Sequence, residues 1–245
     1  MTQDFHRKSV LITGGARRIG LTIARAFADA GANVAITYNT SRDQAERALV
    51  DLRSKTKRAI SLFCDVQDPA CVTETIARVV TEFGGLDVLV NNAAVYETVP
   101  FEEITVQQWD RMFNTNARGP FLVTRAAMAA LKDRHGRVIN IGSLGGLRPW
   151  STHAHYCASK AALIMLTETM AKALAPEVAV NCVAPGMINP DQKPLDELGQ
   201  RIAARTPMQR AGTSEDVAEV VLFLASATHF LTGQVIAVDG GLSLE

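Results

Sequence analysis

Short apolar runs alternate with longer stretches of helical period along the whole chain. Apolar runs of about four to eight residues read as strands, and apolar positions recurring three and four apart read as helices. On that basis strands are predicted at Ser9–Thr13, Asn33–Tyr38, Ala59–Cys64, Leu86–Asn91, Arg137–Ile141, Val178–Val183 and Gln234–Val238. Helices are predicted at Ile19–Ala30, Arg42–Ser54, Pro69–Phe83, Thr105–Asn116, Gly119–Lys132, Tyr156–Leu174 and Ser214–Ser226. Strands such as VLVNN and VIAVD are apolar nearly throughout, as strands of a parallel sheet covered on both faces are. Repeated β–α units with right-handed crossovers give an α/β fold with a doubly wound parallel sheet. No linker and no repeat of fixed period breaks 1–245, so one domain is expected. The irregular stretch Gly186–Gly212 follows a strand end and is rich in Pro, Asp and Gln; it reads as a substrate lid.

Composition narrows the function classes. The 245 residues are 47% hydrophobic and 20% charged, a globular balance, and 25 basic residues offset 25 acidic ones. No basic footprint for nucleic acid or an anionic membrane exists. No run reaches the roughly 18 apolar residues of a membrane span, and the polar opening MTQDFHRKSV shows no signal peptide. Cys64, Cys71, Cys157 and Cys182 lack CxxC spacing, so they read as reduced, buried small hydrophobes of a cytoplasmic protein, and no metal site is expected.

The first strand runs into Thr13-Gly14-Gly15-Ala16-Arg17-Arg18-Ile19-Gly20 and then a helix. Glycines let the backbone approach a phosphate, and the helix start offers free N–H groups. The GxGxxG fingerprint is absent, and a plain βα turn would look much the same. An acid at the end of the second strand would bind a ribose 2′-hydroxyl and repel a 2′-phosphate. This strand ends Thr37-Tyr38-Asn39-Thr40-Ser41-Arg42, with Arg17 in the adjacent turn, which favours NADP(H) over NAD(H) unless Arg17 and Arg42 are only solvated surface charges.

Taken together, TGGARRIG, Asn91-Asn92-Ala93-Ala94, YCASK at Tyr156–Lys160, Pro185-Gly186 and TGQVIAVDGG resemble the motifs of the short-chain dehydrogenase/reductase family over essentially the whole chain. The resemblance implies a single-domain Rossmann fold with a seven-stranded sheet and a catalytic set of Asn116, Ser143, Tyr156 and Lys160. It implies cofactor contacts from Gly14, Arg17, Arg18, Ile19 and Gly20; from Tyr38, Asn39, Thr40 and Ser41; and from Asp65 and Val66 at the adenine. Asn92, Ala93 and Ala94, then Tyr156 and Lys160 at the nicotinamide ribose, and Pro185, Gly186 and Ile188 complete that list. The departure is Arg18, which stands where the motif has its middle glycine.

Hydride transfer to a carbonyl leaves an alkoxide that needs a proton. Tyr156 and Lys160 are four apart and share a helix face, so the ammonium is expected to lower the phenol below its usual pKa of about 10. By the resemblance, Ser143 hydrogen-bonds the substrate oxygen and Asn116 anchors a proton-relay water. Singly, YxxxK also occurs on exposed helices, Ser143 suits a turn and Asn116 a cap. His153 and His155 read as loop or rim residues, and Cys157 as packing. Tyr96, Leu147 and Trp150 would form an apolar or aromatic substrate floor with Ser143 and Tyr156, or else pack the lid.

Two subfamilies are similar. Pteridine reductases share the arginine-bearing turn and an aromatic ring at Tyr96, although the characterised parasite-type enzymes have aspartate where this chain has Ser143. The 3-oxoacyl-carrier-protein reductases share Ser–Tyr–Lys, and Arg134 resembles one of their docking arginines, but their second lies where this chain reads Leu174–Glu177. A small carbonyl or pterin-like substrate is therefore preferred, with the acyl-carrier reductase as the alternative. A cofactor-sensing binding protein is the alternative of another class, disfavoured because Tyr156 and Lys160 are both present. The small and apolar faces of the helices at Gly119 and Tyr156 suggest a subunit interface, or else a thick monomer core, and the resemblance implies a homotetramer or homodimer.

Overall fold

The computed structural model describes residues 4–244; Met1, Thr2, Gln3 and Glu245 lie outside the described residues. All pairings in the seven-stranded sheet are parallel, in the order β3-β2-β1-β4-β5-β6-β7. The strands are β1 Ser9–Ile12, β2 Asn33–Tyr38, β3 Ala59–Phe63, β4 Val88–Asn91, β5 Arg137–Ile141, β6 Ala179–Pro185 and β7 Val235–Val238. The helices are α1 Arg18–Asp29, α2 Arg42–Lys55, α3 Pro69–Phe83, α4 Val106–Phe113, α5 Gly119–Asp133, α6 Ala154–Leu174, α7 Glu197–Arg205 and α8 Ser214–Ser226. The strand order reverses between β1 and β4, which opens a crevice above their carboxyl ends.

Alternate strand residues serve the two faces. Val10 and Ile12 of β1, with Val88 and Val90 of β4, pack on Ile23 and Phe27 of α1 and Val217 and Val221 of α8. Leu11 and Leu89 point the other way, to Val72, Ile76 and Val79 of α3 and Val123 and Leu131 of α5. Each such fully buried side chain is worth about 1.5–3 kcal/mol, and the period of two in the strands is what divides them between two cores.

The structure differs from the sequence reading at several points. The pair of helices around Asn116 is a continuous path: Thr105 caps α4 through a capping box with Gln108, and a π-helical turn at Asn114–Arg118 joins α4 to α5. Such turns concentrate at functional sites because they turn one side chain out of the regular ladder. The stretch Gly186–Gly212 is not wholly irregular. Asp196 accepts from the Gly199 N–H and starts α7 inside it. Its ends are joined where Ile188 bridges Gly212 in parallel, with Gly212 N–H donating to the Met187 carbonyl at 2.9 Å. β6 runs on to Pro185, and α6 starts at Ala154, which puts Tyr156 in its first turn. β7 is apolar but only half covered, because it is an edge strand with no neighbour beyond it. Among the described residues no helix is long and apolar enough to cross a membrane.

Candidate active site

The turn after β1 is locked to the turn after β4. The Asn92 and Ala93 N–H groups both donate to Thr13 Oγ1 at 3.0 Å, and Asn92 Nδ2 donates to the carbonyls of Thr13 (2.9 Å) and Gly14 (3.0 Å). Gly14 sits at φ +63, and its N–H donates to Thr37 Oγ1 at 3.1 Å. A Cβ on Gly20 would fall 2.5 Å from Asn92 Nδ2 and 2.6 Å from the Gly14 carbonyl, so only glycine lets α1 start this close to the strands. Arg18 takes φ +51, a left-handed conformation that costs a non-glycine residue about 1 kcal/mol or more. That backbone is why a glycine suits the position. The Arg18 side chain is exposed and turns toward Asp191 of the segment after β6, at 4.0 Å. Arg17, at the N-cap of α1, makes no side-chain cap bond to the first-turn N–H groups beside Ile19 and Gly20. A bare glycine turn feeding an uncapped helix start fits the pyrophosphate of a dinucleotide.

Past Tyr38 and Asn39, an open recess of about 360 Å³ is lined by Thr40, Ser41, Arg42, Asp43, Gln44 and Arg47. Arg42 is itself paired with Glu46 at 3.1 Å, which leaves Arg47 as the other cation lining the recess. Asp65 Oδ1 accepts from the Gln67 N–H at 3.0 Å beside the buried Val66. Gly186 N–H donates to the Val238 carbonyl at 2.9 Å, fixing the chain after Pro185. Ala94 is exposed past Ala93.

Tyr156 and Lys160 share one face of α6, with Lys160 Nζ 5.9 Å from the phenol ring centre. The expected downward shift of the phenol is not what the structure has. Burial pushes Tyr156 up to about 12; a Ser143 hydrogen bond opposes this, and Tyr96 and Cys157 add to it. One N–H of the neighbouring ammonium goes to the backbone: Lys160 Nζ is buried and donates to the Ile141 carbonyl at 2.8 Å. Burial lowers Lys160 itself to about 8, against a smaller raising effect of Cys182. Ser143 Oγ accepts from the Gly145 N–H at 3.1 Å, which orients the hydroxyl at the end of β5.

Asn116 is fully buried and grips one residue at both ends. Its Oδ1 accepts from the Val95 N–H at 2.9 Å, and its Nδ2 donates to the Val95 carbonyl at 3.0 Å and to Ser159 Oγ at 3.1 Å. Ser159 donates in turn to the Tyr156 carbonyl at 2.7 Å. The side chain therefore positions the Tyr96 loop against α6.

Rings cluster around the phenol. Trp150 lies nearly parallel to Tyr156 (6.1 Å, 16°), Tyr96 meets it edge-on (5.0 Å, 87°), and His153 stacks on Tyr96 (5.1 Å, 29°). Leu147, by contrast, is exposed and joins none of these ring contacts. His155 is not a rim residue. It is fully buried, neither ring nitrogen has a hydrogen bond, and Glu97 Oε2 stands 3.7 Å from Nε2. Cys64 and Cys182 are buried, whereas Cys71 and Cys157 are only partly so; all are free thiols. A larger recess of about 530 Å³ lies away from the rings, between Met208, Gly212 and the C-terminal turn at Asp239–Gly241.

The residue pattern assigns no roles to Thr13, Thr37 or Ser159, and His153 reads there only as a loop or rim residue. Thr13 and Ser159 lie inside the motifs, so their polarity at a buried position was the available signal; Thr37 lies inside a mostly apolar strand and gave none.

The crevice at the strand reversal, the bare glycine turn and the grouping of Ser143, Tyr156 and Lys160 have the form of a dinucleotide-binding oxidoreductase site. Residues 14–243 match the family model described as enoyl-(acyl carrier protein) reductase. The chain is 38% identical over 240 residues to the 3-oxoacyl-[acyl-carrier-protein] reductase FabG of Staphylococcus aureus, covering 96% of this chain and 98% of that protein. It is 35% identical over 242 residues to FabG of Chlamydia muridarum, covering 96% and 97%. A short-chain dehydrogenase from Burkholderia cenocepacia, solved in complex with NADP, superposes with a TM-score of 0.91 at 34% identity over 97% of this chain and 98% of its own. A dehydrogenase/reductase from Sinorhizobium meliloti gives 0.93 at 35%, over 98% and 97%. This chain belongs to the short-chain dehydrogenase/reductase family and is an oxidoreductase of that kind.

Proposed function

We propose that this protein uses NADPH to reduce a ketone carbonyl to an alcohol, with Tyr156 as the proton donor. The observation that carries the reading is the Tyr156 phenol, half-buried between the Tyr96 and Trp150 rings, with Lys160 Nζ 5.9 Å from its ring centre. A phenol held protonated at neutral pH has a proton to give to a developing alkoxide. Ser143 adds a second hydroxyl directed at the same oxygen, and Lys160 holds positive charge one helical turn away. The bound dinucleotide supplies the hydride. The glycine turn, the N-terminus of α1 and the residues following β2 would hold it, and Thr40, Ser41, Arg17 and Arg47 suit a 2′-phosphate better than a bare ribose.

The named relatives favour a 3-oxoacyl thioester as the carbonyl. Arg134, the candidate docking arginine, is exposed and gives one of its five N–H groups to the Gly84 carbonyl, leaving the rest open to solvent. The second reading, a small cyclic ketone or a pterin-like ring, rests on the ring walls at Tyr96, Trp150 and Tyr156. Free thiols suit a reducing compartment such as the cytoplasm. Exposed Phe121, Trp109 and Met165 on α4–α6, with the bare edge of β7, suit assembly into a homotetramer or homodimer.

NADPH oxidation, followed at its absorbance band, tests the proposal against a panel of 3-oxoacyl thioesters, cyclic ketones, quinones and dihydropterins. Turnover that disappears in Tyr156→Phe while NADPH still binds is expected. Tight NADPH binding with no turnover across the panel would instead make the protein a cofactor sensor.

A further inference from the structure

We infer that His153 sets the substrate preference of this site by fixing the polarity of the Tyr96 hydroxyl, so that the pocket selects planar cyclic carbonyl compounds bearing an O–H or N–H donor. The inference rests on the carbonyl-reductase reading and deepens it.

His153 lies one turn before Tyr156 and has a polar contact at each ring nitrogen. Its Nδ1 is 3.0 Å from Thr152 Oγ1, and its Nε2 is 2.6 Å from Tyr96 Oη and 2.9 Å from Thr98 Oγ1. A neutral imidazole carries one N–H and one lone pair. The phenol is a far stronger proton donor than a neutral imidazole N–H, and 2.6 Å is at the short end for an O–H donor. Nε2 is therefore the acceptor, its single lone pair taken by the nearer Tyr96 hydroxyl while Thr98 makes the weaker contact, and Nδ1–H donates to Thr152. Partial burial, with His155 nearby, keeps the ring below the usual histidine range and so neutral.

The consequence falls on Tyr96. Its only proton is committed to His153, so the phenol oxygen can do nothing further except accept. The ring itself is held firmly. It stacks on His153 and meets the Tyr156 ring edge-on, and the loop carrying it is tied down where Val99 N–H donates to the Thr152 carbonyl at 2.8 Å. Yet Tyr96 remains 58% exposed, so its oxygen is available to a ligand. An acceptor-only oxygen next to the catalytic phenol, beside the near-parallel Trp150 ring, describes a flat ligand whose far edge donates. A substrate with an ether or methyl at that edge leaves the acceptor unpaired.

The test uses matched bicyclic ketones: the 5-, 6- and 7-hydroxy-1-tetralones and their methoxy counterparts. For at least one regioisomer the hydroxy compound is expected to exceed its methoxy partner about tenfold in kcat/KM, the scale of one hydrogen bond. The readout is that ratio, which a general loss of activity does not move. His153→Phe keeps a stacking ring but cannot accept; it frees the Tyr96 proton, and the ratio should fall to about one or invert. Tyr96→Phe should also bring it to about one. The same ratio read in Kd from tryptophan quenching keeps the test valid if no tetralone turns over, an outcome that counts against the carbonyl reading and not against this one. Histidine ¹⁵N shifts should show Nδ1 protonated and Nε2 bare in His153. A protonated Nε2, or a ratio unchanged by His153→Phe, would overturn the inference.

Discussion

Lys160 Nζ stands 5.9 Å from the centre of the Tyr156 ring and gives a hydrogen bond to the Ile141 carbonyl at 2.8 Å. The pair thus shares a helix face, as four-residue spacing requires, without acting as an ion pair with the phenolate. The free protein stores a buried charge on one residue and a half-buried neutral acid on the other.

The buried charge should cost stability. Lys160 falls from 10.5 to about 8 on folding, so below pH 8 the folded chain carries an ammonium that the unfolded chain solvates better. Between about pH 8 and 10.5 the unfolded state holds more protons at this site, and its contribution to stability rises with pH. Lys160→Met, measured without cofactor by denaturant unfolding, should be more stable than wild type at pH 7. That advantage should shrink by ~1 kcal/mol from pH 8 to pH 9. A difference that stays flat over that interval would show that the ammonium is not desolvated.

Tyr156 gives a second, spectroscopic expectation. Subtracting the tyrosinate titration of Tyr156→Phe from that of wild type should leave a midpoint near 12 in the free protein. A midpoint at or below the ordinary value of about 10 would mean that Lys160 reaches the phenolate after all.

Asn116→Ala should loosen the Tyr96 loop. The change leaves both Val95 backbone groups and Ser159 without their amide partner, at a cost of roughly 1–3 kcal/mol in chemical unfolding. KM for any carbonyl substrate should rise more than kcat falls, since the side chain acts through Val95 and not on the reacting atoms. Equal losses in both would argue for a direct role.

Gly20→Ala separates cofactor binding from catalysis. The added methyl would stand 2.6 Å from the Gly14 carbonyl, and backbone cannot swing aside as a side-chain end can. NADPH affinity, read from its fluorescence on binding, should drop at least tenfold, and stability should fall by about 1–3 kcal/mol. Unchanged affinity would place the dinucleotide away from this turn.

Much of the frame was legible because it is written in apolar residues. β4 (VLVN) is buried at every position, and the spacing of Tyr156 and Lys160 puts both on one helix face whatever surrounds them. The parts that escaped depend on contacts far apart in sequence. α7 (ELGQRIAAR) buries only Gly199 and Ala203, so its apolar period is weak and its one clear mark is the Asp196 cap. The polar ring of His155 gave no sign that it is fully enclosed. The direction of the Tyr156 shift turned on burial of the phenol among the surrounding rings, which a residue pattern does not show.

The pairing of Ile188 with Gly212 closes the intervening segment on the frame, and a second tie holds it where Met208 N–H donates to the Gly240 carbonyl at 3.1 Å. Changes of sequence between those two ties leave the pairing of β6 with β7 untouched. New chemistry at the mouth of the crevice is therefore within reach of changes confined to one surface insert, and the machinery beneath it need not be rebuilt each time.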